Sequence, residues 1–287
     1  MATRPTVGVS TSAFFPKPIA ETLAILSEQP WRGVELMPQA PSECTPAYGH
    51  QLLELGAGRF DFCGIHFPQI LAPFLYNPDP SAFAFGQQLS RDIAELAGVI
   101  GARAIVVHGP WAKMAEGAYL EATLANLRLM CDVGAADGVA IALENTPSSP
   151  IGASVATMTE FAAIVDRPNF DYTFDVTHTY EMGQEPWPYL DGLPSIAHVH
   201  ASDFDLATQR RHTAPGDGDV DWPRLIGLLA QRGFAGNFVL ELLASSLGED
   251  PAETLRAAAR LLDPIIDRAY AAAGSDAVPA SGASAGG

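Results

Sequence analysis

Basic residues and cysteines are scarce in this chain. Lys and Arg together number 16 among 287 residues, against 33 acids, so the formal net charge is -17. Such an acidic surface repels phosphate backbones, and we therefore expect neither nucleic acid nor an anionic membrane as a partner. The three cysteines, Cys44, Cys63 and Cys131, are odd in number and widely spaced. This pattern predicts buried free thiols rather than disulfides or a zinc knuckle.

Long apolar runs and glycine-rich turns are also missing. No stretch reaches the ~18 residues that a transmembrane helix needs, and the opening MATRPTVGVS lacks the apolar region of a signal peptide. These features predict a soluble, cytoplasmic protein. The first strand-like run is followed by STSAFFPKP rather than a phosphate-binding turn, which argues against an open, doubly wound sheet.

Short aliphatic runs alternate with amphipathic stretches along the whole chain. This alternation predicts eight strand–helix units and hence a parallel sheet covered by helices. We expect a single-domain (β/α)₈ TIM barrel over residues 1–272 and a disordered tail of small residues at 273–287. The strand-like runs are TVGVS, GVELM, FCGIHF, AIVVH, VAIALE, TFDV, IAHVHA and FVLEL.

Acids and histidines stand at or just after the ends of these runs. The carboxyl ends of barrel strands converge on one mouth, and carboxylates with imidazoles are the ligands of a divalent metal. A buried acid is costly unless it is paired or bound to metal. Because basic residues are few, we predict metal ligation rather than structural ion pairs for the acids. The residues in question are Glu144, Asp175, Glu241, His66, His108, His178 and His200.

Two pairs of residues leave alternatives open. Asp175 and His178 face opposite sides of an extended strand, but a turn at its end would bring both to the mouth; a hydrogen-bonded pair without metal is the alternative. His198 and His200 share one face of a strand. We take His200, nearer the mouth, as the ligand and His198 as a supporting or packing residue. Glu35 either hydrogen-bonds a ligand or pairs with an arginine.

The loop RRHTAPGDGDVDW contains further candidates. His212 is a candidate for an additional metal or substrate contact. Arg210, together with Arg211, is a candidate for binding a negatively charged group of the substrate, and two solvated loop arginines are the alternative. The alternative is an ordinary loop in which Asp219 or Asp221 caps the next helix. Aromatic residues expected in the loops at the mouth could form walls for a sugar: Phe14, Phe15, Phe67, Trp111 and Trp187.

Five motifs, in order, resemble the xylose isomerase-like TIM-barrel superfamily. That superfamily contains sugar isomerases and epimerases, including those acting on sugar phosphates, and the endonuclease IV class of DNA repair enzymes. The resemblance extends to about residue 270. The motifs are LENTP at Glu144, D-x-x-H at Asp175 and His178, HVHASD at His200, H-x-x-P-G-x-G at His212 and LEL at Glu241.

The two branches of the superfamily imply different sites. The isomerase and epimerase branch implies one metal on Glu144, Asp175, His200 and Glu241, with the two glutamates as acid and base and His178 on substrate hydroxyls. The endonuclease IV branch implies three metals, which adds His66, His108, His178 and His212. An Asp of that branch, two residues before the His212 position, is Arg210 here, which removes a ligand of the third metal. Sugar 3-epimerases, in turn, often carry Arg at the His212 position.

Our leading hypothesis is a divalent-metal-dependent isomerase or epimerase of a sugar, ketose or inosose-like polyol. The reaction would pass through an enediolate, with Glu144 and Glu241 as the acid and base. Mn²⁺ is preferred, with Co²⁺, Mg²⁺ or Zn²⁺ as alternatives. A multi-metal phosphoester hydrolase of the endonuclease IV type and a non-catalytic polyol-binding barrel are the rival hypotheses. The order in which the glutamates act is left open, as is assembly into a homo-oligomer.

Overall fold

The computed structural model describes residues 3–276, and this part of the chain contains ten strands. Eight of them form a closed, parallel barrel, and the other two, β8 and β9, form an antiparallel hairpin. The strands are β1 (Thr6–Ser10), β2 (Gly33–Leu36), β3 (Asp61–His66), β4 (Ala104–Val107), β5 (Ala140–Glu144), β6 (Phe170–Asp175), β7 (His198–Ala201), β8 (Asp203–Asp205), β9 (Arg210–Thr213) and β10 (Asn237–Leu240).

Helices follow the barrel strands and cover their outer faces. Several begin at side-chain caps: Asp79 caps α4, Ser154 forms a capping box with Thr157 at α6, and Asp221 caps α9. The helices are α1 (Ile19–Leu26), α2 (Pro46–Gly56), α3 (Pro73–Tyr76), α4 (Pro80–Ile100), α5 (Gly117–Gly134), α6 (Val155–Val165), α7 (Val176–Glu181), α8 (Trp187–Gly192), α9 (Trp222–Gln231) and α10 (Pro251–Asp276).

The predicted single (β/α)₈ barrel is confirmed. The closed order β1-β2-β3-β4-β5-β6-β7-β10 leaves no sheet edge. Strands such as β4 and β10 are buried on both faces, as their continuous aliphatic runs indicate. The predicted domain boundary at residue 272 falls inside α10, so residues 273–276 are helical. The rest of the expected tail, residues 277–287, lies outside the described residues.

Two other expectations can be compared with the fold. Cys44, Cys63 and Cys131 are free and buried, which confirms the prediction made from their spacing. Between residues 3 and 276, every helix falls short of the length or hydropathy that a membrane crossing requires.

The hairpin of β8 and β9 lies between β7 and α9 and is folded around one carboxylate. Asp203 is fully buried and accepts hydrogen bonds from the backbone N–H groups of Phe204, Gly216 and Val220 at 3.0, 2.8 and 2.9 Å. It also accepts from the indole N–H of Trp222 at 3.2 Å. One side chain therefore joins the start of this loop to the start of α9.

Strand register places the candidate residues at a common level. In the pairing of β6 with β7, Asp175 lies beside His200, and His200 lies beside Val239 of β10. Glu144, the last residue of β5, pairs with Thr173 of β6. The carboxyl ends of β5, β6, β7 and β10 thus bring these side chains to one side of the mouth.

Candidate metal centre

Three acids and one histidine meet at the mouth of the barrel. One potential ligand atom from each of Glu144, Asp175, His200 and Glu241 lies within 4.8 Å of the others. His200 Nδ1 is 2.8 Å from Glu144 Oε1, 3.3 Å from Glu241 Oε2 and 3.8 Å from Asp175 Oδ2. The structure therefore brings together the four residues that the sequence marks as a ligand set.

Asn145 holds the ends of β5 and β6 in this arrangement. Its Oδ1 accepts from the backbone N–H of Asp175 at 2.7 Å, and its Nδ2 donates to the Asp175 carbonyl at 2.8 Å. The backbone carbonyl of Asn145 lies 2.8 Å from Nδ1 of His178. Asn145 was not singled out from the sequence, although its place directly after Glu144 in the motif LENTP was a usable signal.

The remaining histidines of the mouth form two neighbouring clusters. One consists of His66, His108 and Glu144, and the other of Asp175, His178 and His212. His108 Nε2 lies 2.8 Å from Glu144 Oε2, whereas His66 Nε2 lies 3.6 Å from it. Glu144 and Asp175 thus each belong to two clusters.

His212 reaches its cluster through an unusual backbone. Its φ of 47° lies in the left-handed region, which costs free energy for a residue with a side chain. Its Nδ1 is 3.1 Å from Ser202 Oγ and 3.2 Å from the Glu241 carbonyl. The loop expected to carry His212 therefore does place it beside the site.

A further acid lies beneath the cluster, inside the barrel. Glu35 Oε2 is 2.9 Å from His198 Nε2 and 3.0 Å from His200 Nε2, and all three side chains are fully buried. Of the two alternatives for Glu35, an arginine partner is wrong, because its neighbours are histidines. Both histidines of β7 face the interior, as the two-residue period of a strand requires.

The histidines set the pKa values of the acids. Burial raises the pKa of Glu144 and Glu35, but nearby histidines, His200 foremost, outweigh it and leave both pKa values well below the usual range. Burial also raises the pKa of Glu241, as does the charge of neighbouring Glu144. His200 outweighs both, and the pKa of Glu241 is lowered. For Asp175, burial prevails and the pKa is raised. Asp175 is therefore the acid whose charge is least compensated.

The acids act on the histidines in the opposite direction. Burial lowers the pKa of His66, yet the nearby carboxylates of Glu144 and Glu241 raise it to about 9. Burial is also outweighed at His178, where Asp175 and Glu144 raise the pKa to about 10. His200, beside Glu241 and Glu35, has a pKa well above its ordinary value. Burial wins only at His198, whose pKa is lowered.

This donor set fits a divalent cation. Within residues 3–276, no Lys or Arg nitrogen lies within 4.0 Å of the carboxylates of Glu35, Glu144, Asp175 or Glu241. Oδ2 of Asp175 is buried and has no hydrogen-bond partner in the same part of the chain. Uncompensated buried carboxylates are costly, and oxygen donors with one imidazole suit Mn²⁺, Mg²⁺, Co²⁺ or Zn²⁺.

A cavity of about 490 Å³ opens beside the cluster. His108, His178, His212 and Glu241 lie in its wall, and Phe15, Phe67 and Trp111 contribute aromatic surface, as the sequence predicts. Two of the aromatic residues expected there are elsewhere. Phe14 is buried in the core. The guanidinium of Arg224 covers the ring of Trp187, with its Cζ 3.8 Å from the centroid of the Trp187 ring.

Residues 23–265 match the model of the xylose isomerase-like TIM barrel family. The chain belongs to this family. Solved structures with the same fold include a D-tagatose 3-epimerase-like protein, a 3-keto-D-glucoside 4-epimerase from E. coli, and a D-allulose 3-epimerase from Methylomonas sp. in complex with D-allulose. Their sequence identities to this chain are 20%, 18% and 16%, with TM-scores of 0.75, 0.73 and 0.73. The alignments cover 93%, 91% and 91% of this chain and 99%, 100% and 97% of the respective structures. No curated sequence matches it significantly.

Within this xylose isomerase-like barrel, the two arginines of the hairpin lie in different surroundings. Arg210, predicted as a substrate contact, is exposed, pairs with Asp205 at 3.6 Å and is not part of the cavity wall. Arg211 does line the cavity and pairs with Glu181. Arg211 and the adjacent His212 both line the cavity, so strict alternation does not hold along β9; the left-handed φ of 47° at His212 interrupts it.

Proposed function

We propose that this chain is a divalent-metal-dependent epimerase or isomerase of an uncharged sugar, a ketose or related polyol. The observation that carries the proposal is the wall of the cavity. Among residues 3–276, it combines apolar and aromatic surface with imidazoles and one carboxylate, and its single Lys or Arg side chain, Arg211, is already paired with Glu181. Such a wall suits hydroxyl groups and the apolar face of a sugar better than it suits a phosphate group.

Glu144, Asp175, His200 and Glu241 would hold the cation. When bound, it would supply positive charge that polarises the carbonyl of the sugar. Mn²⁺ is our preferred ion because three carboxylates and one imidazole form a largely hard donor set. His178 and His212, both in the wall, would bind hydroxyl groups of the substrate.

Glu241 is the group best placed to move a proton. Of the three carboxylates among the proposed ligands, Glu241 is the one that lines the cavity, whereas Glu144 is fully buried. In our proposal Glu241 removes the proton from the carbon beside the carbonyl, and its lowered pKa keeps it ionised for that step. Glu144 is ionised at rest. It would take up a proton from water through His108, whose Nε2 is 2.8 Å away, and return it by the same route to the opposite face of that carbon, while Glu241 releases the first proton to water.

The extra histidines favour a second candidate, a phosphoester hydrolase with two or three metals. Two clusters beside the central one share Glu144 and Asp175 with it, which is the arrangement that bridged metals need. His66 Nδ1 lies 2.9 Å from the Phe67 carbonyl, and its Nε2 is buried without a hydrogen-bond partner among residues 3–276. The shortage of cations in the cavity wall places this candidate second.

The proposal can be tested by hydrogen exchange. Purified protein with Mn²⁺ would be incubated in D₂O with unphosphorylated ketoses such as D-tagatose, D-allulose and D-fructose. We expect deuterium at the carbon next to the carbonyl, detected by NMR, and formation of the epimer or isomer. Glu241→Gln should reduce the exchange by at least about 100-fold, because it removes the proton acceptor.

A metal count separates the two candidates. About one ion per chain, with exchange that survives loss of His66, supports the epimerase. Two or three ions, together with cleavage of a phosphoester by the same preparation, would overturn it. Exchange that is unchanged in both Glu144→Gln and Glu241→Gln would exclude the proposed acid and base.

A further inference from the structure

A chain of polar contacts leads from the amino-terminal end of the barrel to the candidate metal centre. Arg103, just before β4, donates from Nε to Asn237 Oδ1 at 3.0 Å. Asn237 Nδ2 lies 3.3 Å from His198 Nδ1, and His198 Nε2 lies 2.9 Å from Glu35 Oε2. The same Glu35 oxygen lies 3.0 Å from Nε2 of His200.

The chemistry of the side chains determines which atom is the donor and which is the acceptor in these contacts. Arg103 carries only donors, so the atom of Asn237 that faces it must be the oxygen. The amide nitrogen of Asn237 then donates to the Cys63 carbonyl at 2.8 Å and turns its other hydrogen toward Nδ1 of His198. Nδ1 of His198 is therefore an acceptor, and the proton of the neutral ring lies on Nε2. This atom is 2.9 Å from Glu35 Oε2, an electrostatic contact without a hydrogen bond in residues 3–276.

Glu35 imposes the same choice on His200. A carboxylate oxygen 3.0 Å from a ring nitrogen requires a proton between them, so Nε2 of His200 is the protonated atom. Nδ1 of His200 faces Glu144, Glu241 and Asp175, and it lies 2.8 Å from Glu144 Oε1. The same rule gives Nδ1 a proton as well, and a cation would displace this proton while the one on Nε2 remains. A histidine that binds a metal through one ring nitrogen keeps its proton on the other, and a partner on that side fixes the ring.

We propose that Glu35, held in place through His198, Asn237 and Arg103, is a positioning residue that presents Nδ1 of His200 to the cation. Glu35 does not reach the cavity wall, so it acts through His200 and not on the substrate. The inference rests on the proposed metal site. It adds that the orientation of a ligand at the mouth is determined from the opposite end of the barrel.

Burial and anchoring support this assignment. Glu35, His198, His200 and Asn237 are all fully buried, so water does not compete for their contacts. Arg103 is fixed from outside by two contacts with Asp61, at 3.0 and 3.2 Å. His198 Nε2 and Glu35 Oε2 face each other at 2.9 Å as an electrostatic contact, since His198 Nε2 makes no hydrogen bond within residues 3–276. The other contacts of the network restrict the positions of its members.

The first test measures metal binding directly. The full chain is stripped with a chelator and titrated with Mn²⁺ by calorimetry, and secondary structure is checked by circular dichroism. Glu35→Gln should weaken Mn²⁺ binding by about 10- to 100-fold, and Glu35→Asp should recover part of the loss. If the wild type binds Mn²⁺ and Glu35→Gln binds it equally well, the positioning role is excluded while the proposed function stands. If the wild type binds no divalent cation, both fail.

A variant far from the metal site distinguishes a loss of these contacts from a folding defect near the ligands. Arg103→Met removes the donor that orients Asn237, and we expect Mn²⁺ binding several-fold weaker. Arg167→Met is the matched control, because Arg167 also makes a two-pronged contact with an acid, Asp132, on the surface. Equal Mn²⁺ affinities in the two variants would overturn the chain of contacts.

The third test determines which ring nitrogens of His198 and His200 carry a proton. Protein with ¹⁵N-labelled histidine and bound Zn²⁺, which is diamagnetic, is examined by long-range ¹H–¹⁵N NMR. His198 and His200 should both carry their proton on Nε2, and His198→Gln assigns the signals. A proton on Nδ1 of His198 would contradict the inference whatever the metal affinity.

Discussion

Oδ1 of Asp175 accepts a hydrogen bond from the backbone N–H of His178 at 2.8 Å, while Oδ2 of the same carboxylate faces the acid cluster without a hydrogen-bond partner in residues 3–276. One oxygen thus caps α7 and turns the chain so that both residues face the mouth. The other oxygen is free for a cation. The roles of the two oxygens, helix cap and metal ligand, can be distinguished by mutation.

Asp175→Asn keeps an oxygen for the cap but removes the charge, and Asp175→Ala removes both. We expect both variants to lose at least about 10-fold in Mn²⁺ affinity, because each lacks an anionic ligand. Only Asp175→Ala should lose a further ~1 kcal/mol in the free energy of unfolding, the usual value of an N-cap. Urea denaturation without metal measures this difference. Equal stabilities would show that the cap contributes nothing.

Bound metal should stabilise the fold. At a free Mn²⁺ concentration of about 100 times Kd, the free energy of unfolding should rise by about 2.7 kcal/mol, and EDTA should reverse the effect. Glu241→Gln should lose most of this gain, since it removes one ligand. Glu253→Gln, at an exposed acid of α10 that pairs with arginines, should retain it. Thermal unfolding with and without Mn²⁺ provides the measurement, and a stabilisation of equal size in Glu241→Gln would contradict the ligand assignment.

The buried thiols predict a dependence of stability on pH. Burial raises the pKa of Cys131 to about 12, whereas an unfolded thiol has a pKa near about 8.5. Below pH 8.5 both states hold the proton, so the contribution of Cys131 is constant. Between about pH 9 and 12 the unfolded state loses the proton first, and stability should fall by about 1.4 kcal/mol per pH unit.

The difference between the wild type and Cys131→Ala isolates this effect from other groups that titrate at high pH. The variant should show a shallower loss of unfolding free energy between pH 9 and 10. Thiol reagents at pH 8 should leave the native protein unmodified and should label all three cysteines once guanidinium unfolds it. Rapid labelling of native Cys131 would contradict the raised pKa.

Gly64 of β3 makes room for the ring of His198. A Cβ at this position would lie 3.0 Å from Cε1 and 3.3 Å from Nδ1 of His198. Gly64→Ala should therefore displace the ring, weaken Mn²⁺ binding and lower stability by about 1–3 kcal/mol through overpacking. Gly227→Ala in α9 is the control, because a Cβ there meets nothing within 4 Å.

For Gly227→Ala we expect unchanged Mn²⁺ binding and stability higher by about 0.5–1 kcal/mol, the usual difference between Gly and Ala in a helix. Calorimetry and urea denaturation of both variants provide the comparison. Unaltered Mn²⁺ affinity in Gly64→Ala would show that the position of the His198 ring does not affect the metal site.

Much of the fold could be predicted from the sequence because local patterns determine it. The run VAIALE becomes β5, and the polar residue that ends it, Glu144, arrives at the mouth. The hairpin of β8 and β9 was missed because its short strands, DFD and RRHT, are mostly polar and lack the aliphatic runs of the barrel strands. The sequence also could not distinguish Arg211, which lines the cavity, from Arg210, which does not.

Contacts between distant strands were beyond sequence reasoning. Glu35 and His200 lie 165 positions apart, and no local pattern connects them. Their meeting depends on barrel closure and on the register of strands that are not neighbours in the chain. Nor could spacing reveal that Asn237, at the start of β10, contacts His198. The types of ligand were readable from single runs, whereas the partners that orient them were not.

The four hydrogen bonds accepted by Asp203 have a consequence for redesign of substrate preference. They close the segment from Phe204 to Trp222 on one carboxylate. The tip of that segment can therefore be exchanged or lengthened while its two ends remain anchored to the scaffold. Transplanting this unit between related barrels would carry Arg211 and His212 along as a pair, so that new specificities could be sampled without rebuilding the ligand cluster below.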